Sequence, residues 1–158
     1  MALAHNLLLR NLNAIYLQAT GVKLPTDVMD FLTMCQIWWE TVHHHHSMEE
    51  AYFFPAIEEY TGEKGIMEIN INQHAAFEAG VERFRIYVFQ TTPDTFDGAR
   101  LKEIVNSFGS ILAQHLAEEI DSLLGLDKFG GDKLEKSYRD LDAKIIASIR
   151  DKVCDRFI

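Results

Sequence analysis

Apolar residues recur at alternating spacings of three and four along nearly the whole chain, and no segment of length alternates with a period of two. That pattern predicts helices joined by short breaks, not strands. A first helix is expected over residues 3–18, ending before Gly21. Pro25 and Thr26-Asp27 read as the turn and N-cap of a second helix, which continues to about residue 50 with Pro55 near its end. TGEKG (61–65) reads as a loop, followed by a third helix over 66–90. TTPDTFDG (91–98) breaks the pattern before a fourth helix over 99–124, and Gly130-Gly131 precede a fifth over 133–157.

The inward stripe of each helix follows from the same spacing. On the second it is Phe31, Cys35, Trp38, Val42, His45, Glu49 and Tyr52; on the third, Met67, Asn70, His74, Phe77, Val81, Phe84 and Val88. The fourth gives Leu101, Ile104, Phe108, Ile111 and His115, with Glu119 one turn on, and the first gives His5, Leu9, Leu12 and Tyr16. The fifth carries Leu134, Tyr138, Leu141, Ile145, Ile149 and Val153 on one face, which suits a cap on the bundle, a dimer surface or a cover over a pocket. The expected architecture is all-α, an antiparallel four-helix bundle with one additional C-terminal helix.

Each of the four long stripes contains one histidine, and two of these are followed at i+4 by a glutamate that the stripe would bury. A buried carboxylate without a partner costs several kcal/mol. No Lys or Arg lies on the stripes, so a bound metal is the cation that fits. Residues i and i+4 share a helix face, and His45-x-x-x-Glu49 and His115-x-x-x-Glu119 each offer a nitrogen and an oxygen to one point. His74-x-x-x-Glu78 repeats the spacing, although Phe77 competes with Glu78 for the inward direction. Imidazole and carboxylate donors inside a helical bundle suit iron or manganese, and several carboxylates suit two bridged ions. Thiolates are absent from the set, against a structural zinc site.

The stretch VHHHHSMEEAYFFP (42–55) holds four consecutive histidines. They lie too far inside the chain for a purification tag, and the stripe selects His45. His43, His44 and His46 are turned away by about 100° per residue. At most one of them could sit behind a ligand; the others read as solvated or helix-interface residues.

Composition narrows the setting. A net charge of −9 without Lys/Arg clusters argues against nucleic acid and anionic membrane surfaces. No apolar run approaches the roughly 18 residues of a membrane span, and the N-terminal segment lacks the basic start of a signal peptide. Two cysteines, Cys35 and Cys154, give no disulfide framework. A reduced, cytoplasmic protein is expected, monomeric or homodimeric.

His5, HHSMEEAYFFP, NQHAAFE and HLAEE, taken in this order, resemble the hemerythrin-like or HHE cation-binding domain over about residues 1–126. Residues 127–158 would then be a capping helix of the same domain. The resemblance implies a non-haem di-iron centre with an oxo or hydroxo bridge. In it His5, His45, His74 and His115 are terminal ligands and Glu49 and Glu119 bridge. Oxygen-carrying members have a histidine at the position of Glu78. Two six-coordinate irons sharing two carboxylates and one oxygen bridge leave about six terminal positions. Four histidines and Glu78 fill five, leaving one open for dioxygen or peroxide. An anionic Glu78 would stabilise ferric iron and favour oxidation of a small molecule, with Trp38, Tyr52 and Phe77 lining the pocket. The alternative is binding or sensing of oxygen, iron or nitric oxide without turnover. The absence of an attached output domain tilts the expectation to redox chemistry.

Overall fold

A computed structural model describes residues 1–156, with side chains described through Ala147. No strand occurs among these residues, and no helix is long and apolar enough to cross a membrane. The elements are α1 (Ala2–Gln18), α2 (Pro25–Met48), a π-helical turn (Glu49–Phe53) and α3 (Phe54–Thr61). After them come α4 (Glu68–Gln90), α5 (Gly98–Asn106), α6 (Gly109–Leu124), a 3₁₀ turn (Gly125–Phe129) and α7 (Gly131–Arg156). Helices α1, α2, α4 and α6 pack as cyclic neighbours, with α5 continuing the line of α6. This is the expected all-α bundle with its extra C-terminal helix.

Two apolar layers fill the bundle. The larger is built on Leu8, Leu12, Ile15, Cys35, Trp38, Phe84, Phe108 and Leu112. The smaller gathers Met48, Phe53, Phe54, Ile57, Met67, Leu123, Leu126 and Leu141. Helix α7 covers the smaller layer through Leu134, Tyr138, Leu141 and Ile145, and so acts as a cap over its described length. The positions Ile149 and Val153 of its apolar face lie outside the described side chains.

Several stripes are rotated by one residue from expectation, each for a local reason. On α1 the buried set is His5, Leu8, Leu12 and Ile15, while Leu9 and Tyr16 flank it. The expected fourth helix is broken at Ser107-Phe108, where Phe108 leaves helical geometry at φ −138°. Its ring is fully buried against Trp38 and Phe84. Gly80 of α4 makes this possible, because a Cβ there would lie 2.5 Å from the Phe108 Cβ. The restart at Gly109 turns Leu112 inward and leaves Ile111 38% exposed.

The second helix changes pitch where Pro55 approaches. Proline has no N–H for the carbonyl four residues back and its ring crowds that carbonyl. The chain widens instead, and the Phe54 N–H reaches Glu49 O, a bond of π-helical spacing. One extra residue per turn shifts the inward position from Tyr52 to Phe53, so Phe53 is 1% exposed and Tyr52 46%.

The start of α5 crosses the end of α1 so closely that a Cβ on Gly98 would lie 1.9 Å from Ala19 O. A backbone carbonyl cannot swing aside. Gly98→Ala is therefore expected to destabilise the fold by about 1–3 kcal/mol in urea unfolding, with the donor residues described next left in place.

Candidate metal centre

Between the two apolar layers lies a buried polar slab: His5 from α1, His45 and His46 from α2, Glu49 from the π turn, His74 from α4, and His115 and Glu119 from α6. Glu49, His115 and Glu119 are fully buried. The donors fall into two sets, His46–Glu49–His74–His115 and His5–His45–Glu49–Glu119, in each of which ligand atoms lie within 4.8 Å of one another. Glu49 belongs to both.

The outer nitrogens of three imidazoles are anchored. His5 Nδ1 is 2.7 Å from Leu116 O, His74 Nδ1 is 2.6 Å from Glu50 Oε1, and His115 Nδ1 is 3.0 Å from Gln73 Oε1. Each partner is an acceptor, so each Nδ1 carries the proton and each Nε2 presents a lone pair inward. Gln73 is oriented in turn, because its Nε2 donates to Glu118.

The inward lone pairs then face one another. His74 Nε2 lies 3.1 Å from His115 Nε2, and His5 Nε2 lies 3.1 Å from Glu119 Oε2. His45 Nε2 is 3.1 Å from Glu49 Oε1, whose second oxygen is 3.7 Å from His74 Nε2. His5, His45 and His46 Nε2 and all four oxygens of Glu49 and Glu119 have no hydrogen-bond partner. Among the described residues the ion-pair partners of these two carboxylates are histidines, not Lys or Arg. Lone pairs converging on lone pairs in a dry interior repel, and the arrangement is satisfied by divalent or trivalent cations. The donor set fits a metal.

The same crowding sets the protonation states. Burial, with neighbouring imidazoles adding, pushes His45 down to about 3 and His46 well below its ordinary value. Burial likewise pushes His115 down to about 3, and it raises Glu49 well above the usual carboxylate range, with Glu119 adding repulsion.

Six of the seven residues expected as donors come together here, and Glu78 does not. It is exposed on α4 and belongs to neither set. Phe77 takes the inward direction there, 4% exposed and packed on His46, His74 and His115. The place expected of Glu78 is filled by His46, which a single inward stripe turns away from the interior. Two donor sets side by side widen the target beyond one stripe. His45 and His46, about 100° apart, each face a different set, with Glu49 between them at i+4 from one and i+3 from the other. That double spacing is the signal by which His46 could have been found. His43 stacks on Trp39 instead, with ring centroids 4.9 Å apart.

Of the aromatics expected around a pocket, Phe77 lines a groove beside the first set. Trp38 lies in the larger apolar layer with its Nε1–H donating to Leu8 O at 3.0 Å. Tyr52 faces solvent, with Lys144 over its ring at 4.0 Å.

The Hemerythrin HHE cation binding domain family matches residues 1–126. The chain is also 34% identical over 145 residues to the "Dimeric xanthone biosynthesis cluster protein R11" of Cryptosporiopsis sp. (strain 8999). That match covers 92% of this chain and 55% of the relative, so the chain spans about half the length of the curated protein it matches. No solved structure matches it.

Two outcomes follow from this geometry. His46→Ala should lower the metal content, because it removes a donor from one set, while Glu78→Ala should leave it unchanged. Metal analysis of the purified variants decides between them. The second outcome concerns the metal-free protein. From pH 6.5 down to 4.5 the unfolded chain protonates three imidazoles, His45, His46 and His115, that the folded chain keeps neutral. Folded Glu49 holds one proton that the unfolded chain has released. Three outweigh one, so stability falls on acidification through this window. Glu49, raised above the usual carboxylate range, acts in the opposite sense and offsets part of this fall. Urea titrations of chelator-treated protein should show stability falling from pH 6.5 to 4.5, and more steeply in Glu49→Gln.

Proposed function

Because the chain belongs to the hemerythrin HHE cation-binding family, we propose that its two donor sets hold a pair of metal ions, iron first and manganese second. We assign the pair a reaction with dioxygen or peroxide in which a small molecule is oxidised. The observation that carries this reading is the sharing of Glu49 between two otherwise separate sets of buried donors. A carboxylate reached from both sides is what a bridged pair needs, and Glu119 on α6 is the second candidate bridge. A bridged iron pair, when bound, supplies electrons to dioxygen or peroxide at an exchangeable position.

The chain determines where that position lies. With His46 in place of Glu78 the terminal donors still number five, now all imidazoles: His46, His74 and His115 in one set, His5 and His45 in the other. The second set is one imidazole short, so the open position falls there. The negative charge once expected from Glu78 is supplied one step out. Glu50 accepts the Nδ1 proton of His74 at 2.6 Å, which makes that imidazole a stronger donor. Carboxylate support of a ligand favours the oxidised metal, and the relative's membership of a biosynthesis cluster is consistent with turnover. The five neutral imidazoles favour the second reading, reversible binding or sensing of oxygen, iron or nitric oxide.

Stopped-flow mixing of the reduced, metal-loaded protein with dioxygen separates the two. Oxidation without a long-lived adduct is the expected result, and Glu50→Gln should slow it by about 10–100-fold while the metal stays bound. A stable, reversible oxygen complex would replace oxidation by carriage or sensing.

A further inference from the structure

A groove between α2 and α4 opens directly on the first donor set. It encloses about 240 Å³, below the size of drug-like ligand sites and suited to a single-ring molecule. His46 and His74 form part of its wall, so whatever enters meets two of the donors. Ile71 and Phe77 give it an apolar face, and the carboxylates of Glu50 and Glu78 line it. No lysine or arginine contributes. The set that is one imidazole short is the other one, so the groove lies apart from the position proposed for the oxidant.

We infer that the groove is the docking site for the small molecule the centre oxidises, a single aromatic ring bearing a cationic amine. The ring lies on Phe77 and Ile71, and the amine is held by the carboxylates. Charge complementarity carries this choice: two carboxylates in a groove lined by histidines but by no lysine or arginine, on a chain of net charge −9, repel an anionic ligand and attract a cationic one. An ammonium group on a carboxylate is also the stronger class of hydrogen bond. Glu78, left outside the donor sets, thereby acquires a binding role. The assignment rests on the reading of the donor sets as a reactive metal pair, and it keeps the reductant's site apart from the oxidant's.

The test is calorimetric titration of tyramine, with its anionic counterpart phloretate as control, into metal-free and metal-loaded protein. Saturable binding of tyramine with one site per chain is expected in both forms, and much weaker binding of phloretate. Glu78→Gln should weaken tyramine by about tenfold. Ala75→Trp, which fills the groove from α4, should abolish binding while metal content stays normal. Equal affinity for phloretate, unchanged affinity in Ala75→Trp, or no saturable binding by the folded unmodified protein would each overturn the inference. The two forms separate the failures. Protein that loads metal but ignores tyramine sinks the groove alone, whereas tyramine binding by a chain that takes up no metal sinks the metal pair and upholds the groove.

Discussion

The interior of this bundle is organised around a repulsion. Two carboxylates and five imidazole nitrogens point at one another between apolar layers, and no Lys or Arg side chain stands among them. In a low-dielectric interior such a cluster is expensive to assemble. It persists because four of the five imidazoles are held from behind or from the side by something the fold already supplies: a helix carbonyl for His5, Gln73 for His115, Glu50 for His74, and the rings of Phe77 and His74 for His46. The cost is carried by the packing of Trp38, Phe84 and Phe108 on one side and of Phe53, Phe54 and Ile57 on the other. A cation turns the same cluster from the weakest part of the core into a cross-link between four helices and a turn.

The π turn is the local device on which this depends. Pro55 prevents a normal α-helical bond, and the wider turn that results seats Glu49 where both donor sets reach it. It also turns Phe53 into the smaller apolar layer, sealing the slab from below. One residue of extra pitch thus serves chemistry and packing together. π-helical turns are found often at functional sites for this kind of reason.

The fold was legible because its signal is distributed. Breaks at Gly21, Pro25, 61–65, 91–98 and Gly130 are each marked by turn residues, and the helix stripes between them repeat many times. Single positions fared worse. Ile111 and Tyr52 were expected inside because a uniform 3.6-residue pitch was carried through Phe108 and through the π turn, where the pitch changes. The site shows the same division. Residues on one stripe, such as His45, Glu49, His115 and Glu119, could be read from spacing, but a stripe has only one direction. His46 lies off the stripe because a second donor set lies off it too, and a one-dimensional pattern holds no record of that second target. Glu78 matched an i+4 spacing, yet the larger apolar neighbour, Phe77, took the interior.

Exchanging His46 for Glu78 changes the physics of the centre as well as its membership. A carboxylate bonded to the metal would neutralise charge directly and fix the potential through a donor on α4. An imidazole from α2 would leave the donors neutral apart from Glu49 and Glu119, with the nearest tuning charge on Glu50, which is 47% exposed at its side chain. A charge at the water interface is screened and adjustable in a way that a buried ligand is not. Glu50 both borders the groove and holds the outer nitrogen of His74, so the proposed docking site and the proposed metal pair share one carboxylate.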